Sequence, residues 1–337
     1  MLHKRLRSWA RRQYKRRFPL HYAKDKGLQP YAKPFADSLV LVQKLQADGL
    51  IVANAPDAAQ FIERNNYYRF KVYLRPFLTS PGAKDFIPGS RFEDALELHE
   101  FDEELRRFVL GLTSTIELQL RHKLDQRITV YSSDPFWYLR NKHYRTFPAQ
   151  TLRMARHTLE RSHEEFAQHY LNKYHSGVGG EFNFLPPFWI VSELLTIGQL
   201  DYLIRNFDKS SFDNPTPTPN QLDLLARDFG AYNIGYLQKW VEYVRNIRNW
   251  CAHHSRLWNR HMATPPNVER SLSKSIKAAS KHRLYHSLAM LRIMMKSRGV
   301  DDDIKSTMIM LFTKYPAADA NKDKMGFPSN WQADPFW

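Results

Sequence analysis

Apolar residues recur every three or four positions along most of this chain, and the strict alternation that marks half-buried strands is nearly absent. In "KPFADSLVLVQKLQADGL" the spacing of Leu39, Val42 and Leu45 predicts a helix closed by Gly49. "NAPDAAQFIERNNYYRFKVYLRPF" follows, with Pro56 near a helix start and Pro76 near an end. Gly, Pro and Ser then cluster over 80–90, which marks a loop or a subdomain boundary. The longest predicted helix is "EFDEELRRFVLGLTSTIELQLRHKLDQRI" (100–128), where Phe101, Leu105, Phe108, Leu112, Ile116 and Leu120 form one broad arc. "SSDP" (132–135) ends that segment, and one further helix is predicted over 148–170. After the turns "HSGVGG" and "LPPFW", "IVSELLTIGQLDYLIRNF" reads as two short helices broken near Gly198. "SFDNPTPTPN" is a loop, and helices follow over 221–229, 234–254, 272–297 and 303–314.

This pattern predicts an all-α protein, a multi-helix bundle. No G-x-G-x-x-G, P-loop or G-x-S-x-G is present, and no repeat of 20–50 residues. The expected organisation is a basic arm (1–30), an N-terminal helical segment (31–90), a helical core (91–262) and C-terminal helices with an aromatic tail (263–337). That tail, "MGFPSNWQADPFW", is too aromatic for a plain linker and is expected to lie on the surface of the core.

Charge changes the picture. The 337 residues carry a formal net charge of +16, and the pI is near 9.8. Such a balance favours a polyanionic partner, nucleic acid before an anionic membrane surface. About half of it comes from the arm, which has no acid before Asp25. Lys4, Arg5, Arg7, Arg11, Arg12, Lys15, Arg16 and Arg17 make the arm either an RNA-binding, phosphate-contacting element or a tail that touches nothing. Cys251 is the only cysteine, which excludes an internal disulfide framework and a cysteine-rich zinc site and fits a reducing compartment. No apolar run reaches a membrane span, and the N-terminus lacks the apolar region of a secretory signal, so a cytoplasmic location is expected.

The densest chemistry lies in "VRNIRNWCAHHSRLWNR" (244–260), with four arginines, three asparagines and two adjacent histidines. On a helix, Leu237, Trp240, Val241, Val244, Ile247, Cys251 and Trp258 share an apolar stripe, and Arg245, Asn249 and His253 form a ridge beside it. Arg248 projects within the stripe, where a charge is costly unless paired with a carboxylate or a ligand phosphate. Glu117, with Arg121 one turn on, supplies a carboxylate if the two helices pack together; alone, those two residues fit a plain surface ion pair.

RNA carries its own nucleophile, the 2′-hydroxyl. A histidine can take its proton or protonate the leaving 5′-oxygen, and an arginine can clamp the phosphate. No metal or cofactor is needed. His254 fits a capping or surface role, and His253 with His254 is a poor metal pair, since helical neighbours diverge. R-x4-H spacing is cheap: it recurs at Arg256 and His261. A non-catalytic RNA-binding module therefore remains open beside an enzyme.

"RNIRNWCAHHSRLWNR" resembles the signature of the abortive-infection AbiD/AbiF family, whose core is a HEPN domain. "KPFADSLVLVQKLQADGL", "NNYYRFKVYLRPF", "FDEELRRFVLGLTSTIELQLR", "LPPFWIVSELLTIGQL" and "MGFPSNW" are similar to family segments in the same order, from Lys33 to Trp337. The resemblance implies a HEPN-like core and a metal-independent endoribonuclease with Arg248, Asn249 and His253 at the catalytic motif. It implies supporting roles for Glu117 and Arg121. It also implies phage defence or toxin–antitoxin behaviour, with a noncoding RNA or a protein antitoxin as partner. Arg248 and His253 lie about 140° apart on an ideal helix. They converge only if the helix distorts or a second copy completes the site, so a homodimer is expected.

Overall fold

The computed structural model describes residues 35–174, 180–262, 267–268, 274 and 280–337. The basic arm, Lys4 to Arg17 included, lies outside them. The all-α expectation is borne out: the described residues hold helices, short 3-10 turns and three isolated bridges, with no sheet. No described helix is long and apolar enough to cross a membrane. The chain divides into two units, 1–99 and 100–337.

In the first unit, α1 (Ser38–Ala47), α2 (Ala55–Arg64) and α3 (Tyr67–Leu74) each start at an Asp or Asn whose side chain accepts a first-turn N–H: Asp37, Asn54 and Asn66. Their apolar faces meet in a core containing Val42, Leu45, Ile62 and Phe70. Phe61, Phe70, Phe92 and the His99 ring pack edge to face within it.

The second unit is organised on α4 (Phe92–Ser132). This helix runs 41 residues, about 60 Å. It starts two turns earlier than the sequence predicts. Phe101, Leu105, Leu112, Ile116 and Leu120 of the expected arc are buried, while Phe108 is half-buried and Val109 takes the inward place. The helix expected over 148–170 is two, α5 (Ala149–Arg161) and α6 (Glu165–Lys173), because the chain turns extended at Ser162. α7 (Phe188–Leu194) and α8 (Ile197–Asn206) are two short helices separated at Thr196, near Gly198 as expected: Thr196 and Gln199 form a capping box that starts α8. α9 (Gln221–Asp228) and α8 both pack against α10 (Ile234–Ala252).

α11 (Leu284–Ser297) is buried on all sides from Leu284 to Met295, as its near-continuous apolar sequence requires. Its one buried cation, Arg292, pairs with Asp302 and donates to the Trp337 carbonyl at 2.9 Å. α12 (Ile304–Lys314) and α13 (Pro316–Ala320) complete the unit. The tail packs against the core: Phe327, Trp331 and Trp337 are buried, and the Trp337 indole donates to the Tyr285 hydroxyl at 2.7 Å. The aromatic side chains are core residues that happen to come last.

Gly230 links α9 to α10 with φ +76, and a Cβ there would sit 2.6 Å from Ile293 Cγ2 and from Ser297 Oγ on α11. Gly299 has a similar φ of +67 with nothing within 4 Å. Gly230→Ala therefore combines left-handed strain with a clash, and Gly299→Ala carries the strain alone. Urea midpoints should place Gly299→Ala about 1–2 kcal/mol below the parent and Gly230→Ala lower by a further 1–3 kcal/mol or so. Equal losses would show that α11 gives way at no cost.

Candidate active site

α10 carries the motif, and its ends are fixed locally. Asn233 accepts the Tyr236 N–H and Asp223 accepts the Ile234 N–H. Leu237, Trp240, Val241, Val244, Ile247 and Cys251 form the buried stripe that the sequence predicts. At the other end His253 is the C-cap, and His254 takes the left-handed position with φ 54. The His254 N–H donates to the Cys251 carbonyl and the Ser255 N–H to the Trp250 carbonyl, at 3.0 and 2.7 Å. This double closure normally ends on glycine. Here it leaves both histidine side chains exposed, side by side, just past the last helical turn.

The segment beyond them is held by Asp102 of α4, which sequence reasoning missed. Its carboxylate is fully buried and accepts the Leu257 and Trp258 N–H groups at 2.9 and 2.6 Å, while Arg106 pairs with its other oxygen. Trp258 is driven into the core at the same point. A signal was there: Asp102 falls on the same helical face as Leu98, Leu105 and Val109, where an acid needs partners.

α4 also meets the middle of the motif. Glu117 lies 3.8 Å from the Arg248 guanidinium and bonds to Arg121. Arg121 is buried and donates to the Ser192 and Leu195 carbonyls, the latter at 2.7 Å, so it ties the α7–α8 turn to α4. One turn back on α10, Arg245 pairs with Asp201 of α8, a fully buried carboxylate shared with Arg205 at 3.1 Å. Burial pushes the Asp201 carboxyl up from its ordinary value, against the pull of Arg205 and Arg245. Two carboxylates, Glu117 and Asp201, are thus each divided between two guanidiniums, which leaves positive charge at the surface of α10.

Arg248 differs from its expected position. Its side chain is 38% exposed, at the margin of the apolar stripe rather than pressed into it. Its half-exposed side chain places the guanidinium beside Glu117 and donates to the Asn249 side-chain Oδ1 at 3.5 Å. The structure brings Arg248, Asn249, Glu117 and Arg121 together, with Arg245 adjacent and His253 and His254 at the helix end. α10 stays regular up to Ala252, so no local distortion turns Arg248 toward His253. Among the described residues, no group of three or more His, Cys, Asp or Glu is placed to hold a metal ion.

Burial, and secondarily the nearby Asp102 carboxylate, pushes the Cys251 thiol up to about 12. At pH 8 the folded protein should resist iodoacetamide, and labelling should report unfolding. Asp102→Ala should lose about 3–5 kcal/mol, since it removes the buried carboxylate that Arg106 and two N–H groups share, and should speed Cys251 labelling in parallel. Wild-type labelling kinetics in that variant would show the loop is held otherwise. A double-mutant cycle on Arg248 and Glu117 should give a coupling below about 1 kcal/mol, because the exposed guanidinium is screened. The Glu117–Arg121 cycle, read from melting curves, should give a larger one.

A comparison with protein families matches residues 60–259 to a family described as Abi-like protein. No curated protein matches the chain, and no solved structure does. The matched span covers α3 through the end of α10 and the Asp102-held loop, more than half of the sequence. The chain belongs to the Abi-like protein family.

Proposed function

We propose that this protein is a metal-independent endoribonuclease of the HEPN type, related to the AbiD/AbiF proteins and acting in the cytoplasm in abortive infection or toxin–antitoxin defence. The observation that carries the proposal is the half-exposed Arg248 guanidinium, braced by Glu117, with the exposed His253 at the end of the same helix. Arg248 holds a non-bridging phosphate oxygen and stabilises the charge that builds on it. His253 takes the 2′-hydroxyl proton or delivers a proton to the leaving 5′-oxygen. The 2′-oxygen bonds to phosphorus as the bond to the 5′-oxygen breaks, leaving 2′,3′-cyclic phosphate and 5′-hydroxyl ends. Asn249 orients the phosphate, and Glu117, Arg121 and Arg245 fix the guanidiniums around it. Because one regular helix spreads Arg248 and His253 apart, two copies related by a two-fold axis complete the site. A noncoding RNA or a protein antitoxin would restrain such an enzyme.

The regularity of α10 also favours a second reading, in which a monomer binds RNA through Arg248 and His253 without cleaving it. Purified protein with labelled RNA separates the two. Cleavage with cyclic phosphate ends should occur and should fall by a factor of roughly 10²–10⁴ in His253→Ala, with folding and RNA affinity nearly retained. Full cleavage by a folded His253→Ala protein would falsify the catalytic assignment. Mixing inactive Arg248→Ala and His253→Ala proteins should restore part of the activity once subunits exchange. No recovery despite exchange would argue against a composite site.

A further inference from the structure

The solvent side of α10 is one continuous ridge. Gly235, Lys239, Glu242, Asn246, Asn249 and His253 follow at spacings of three and four, and all are exposed or half-exposed. Glu242 is covered by Arg245 at 3.5 Å. At the end away from His253 the ridge meets a cavity of about 250 Å³ lined by Asn233, Gly235, Tyr236, Lys239, Trp240 and Asn267. Tyr232, exposed, stands edge-on to the Tyr236 ring with centroids 6.1 Å apart. The Trp240 indole donates to the Asn267 carbonyl at 3.3 Å, which fixes that wall. The first N–H groups of α10 are engaged by Asp223 and Asn233, and Asp223 is neutralised by Lys209 at 2.7 Å. Among the described residues the cavity is therefore a slot lined by aromatic and amide side chains with one cation, Lys239, and not an anion hole at a helix terminus.

We propose that this cavity takes one unstacked base of a single-stranded RNA whose backbone follows the α10 ridge to Arg248 and His253. The inference rests on the endoribonuclease reading and extends it to a substrate class, unpaired RNA, and to a second subsite. The half-exposed Tyr236 ring offers a face on which any base can stack, and Lys239 meets the phosphate beside it. Lys239 is exposed on the ridge. It lies about 21 Å along the helix from His253, a separation of a few nucleotides. A duplex keeps its bases stacked and cannot place one there, so the slot selects single strands.

The test uses the full chain carrying His253→Ala, so that RNA stays intact during binding. A 4-thiouridine-labelled single-stranded octamer should photo-crosslink to the peptide containing Tyr236 and Trp240. By fluorescence anisotropy, Tyr236→Ala in that background should bind about tenfold more weakly, and Tyr236→Phe should bind as the parent does. Lys239→Glu, at an exposed position, should weaken binding at low salt and lose its effect as salt rises. Unchanged affinity in both Tyr236→Ala and Lys239→Glu, crosslinks elsewhere only, or equal competition by a duplex of the same sequence would overturn the proposal. If the wild type cleaves RNA while these variants bind normally, the subsite alone fails. If the variants lose binding while the wild type leaves RNA intact, the nuclease reading alone fails.

Discussion

The buried carboxylate of Asp102 is the constraint on which the candidate site depends. One of its oxygens receives two consecutive N–H groups from the chain just past α10, and the other receives Arg106. A charge with no exposure is tolerated only because those donors replace the water it has lost. The consequence is local order where order is needed. The chain that leaves His253 and His254 is pinned to α4 within a few residues, and Trp258 is packed beneath it. The two histidines stand on a closed helix end with both sides held, which limits the positions their rings can reach.

The same long helix supplies the second attachment. Glu117 is three turns beyond Arg106 on α4 and braces Arg248, while Arg121 reaches across to two carbonyls of the α7–α8 turn. Asp201 on α8 then holds Arg245. The Glu117 and Asp201 bridges tie α4 and α8 to α10, and each uses a carboxylate that faces two guanidiniums. A surface that is positive because its acids are already occupied is suited to a phosphate. Cys251 is uninvolved: its thiol is buried, held protonated and inert.

Hydrophobic periodicity determined the fold class, because apolar residues at helical spacing can be buried in no other way over stretches this long. It placed α4, α10 and the buried stripe of α10 to within a turn or two. It marked Arg248 as a charge in search of a partner, since a charge beside an apolar stripe signals itself by cost alone, whereas family resemblance assigns Asn249, Glu117 and Arg121 to the site. It did not separate α5 from α6, because nothing in "RSHEEF" breaks a helix outright; the chain turns extended at Ser162, whose hydroxyl accepts the Glu164 N–H at 3.2 Å. It placed the break before α8 near Gly198, and the chain breaks two residues earlier, at the Thr196 hydroxyl that caps α8.

Only the tertiary structure decided what met what. The pairing of Glu117 with both Arg121 and Arg248 depends on the register of α4 against α10, which no local pattern encodes. The role of Asp102 depends on N–H groups 155 and 156 residues away. The half-exposed position of Arg248 beside Glu117 and the burial of Phe327, Trp331 and Trp337 depend likewise on contacts between distant segments. Sequence by itself determined that this chain is helical and that a basic, histidine-bearing helix lies within it, since those features are short-range. Which acids brace that helix, and where its charge faces water, are long-range packing outcomes, fixed only once distant segments are brought into contact.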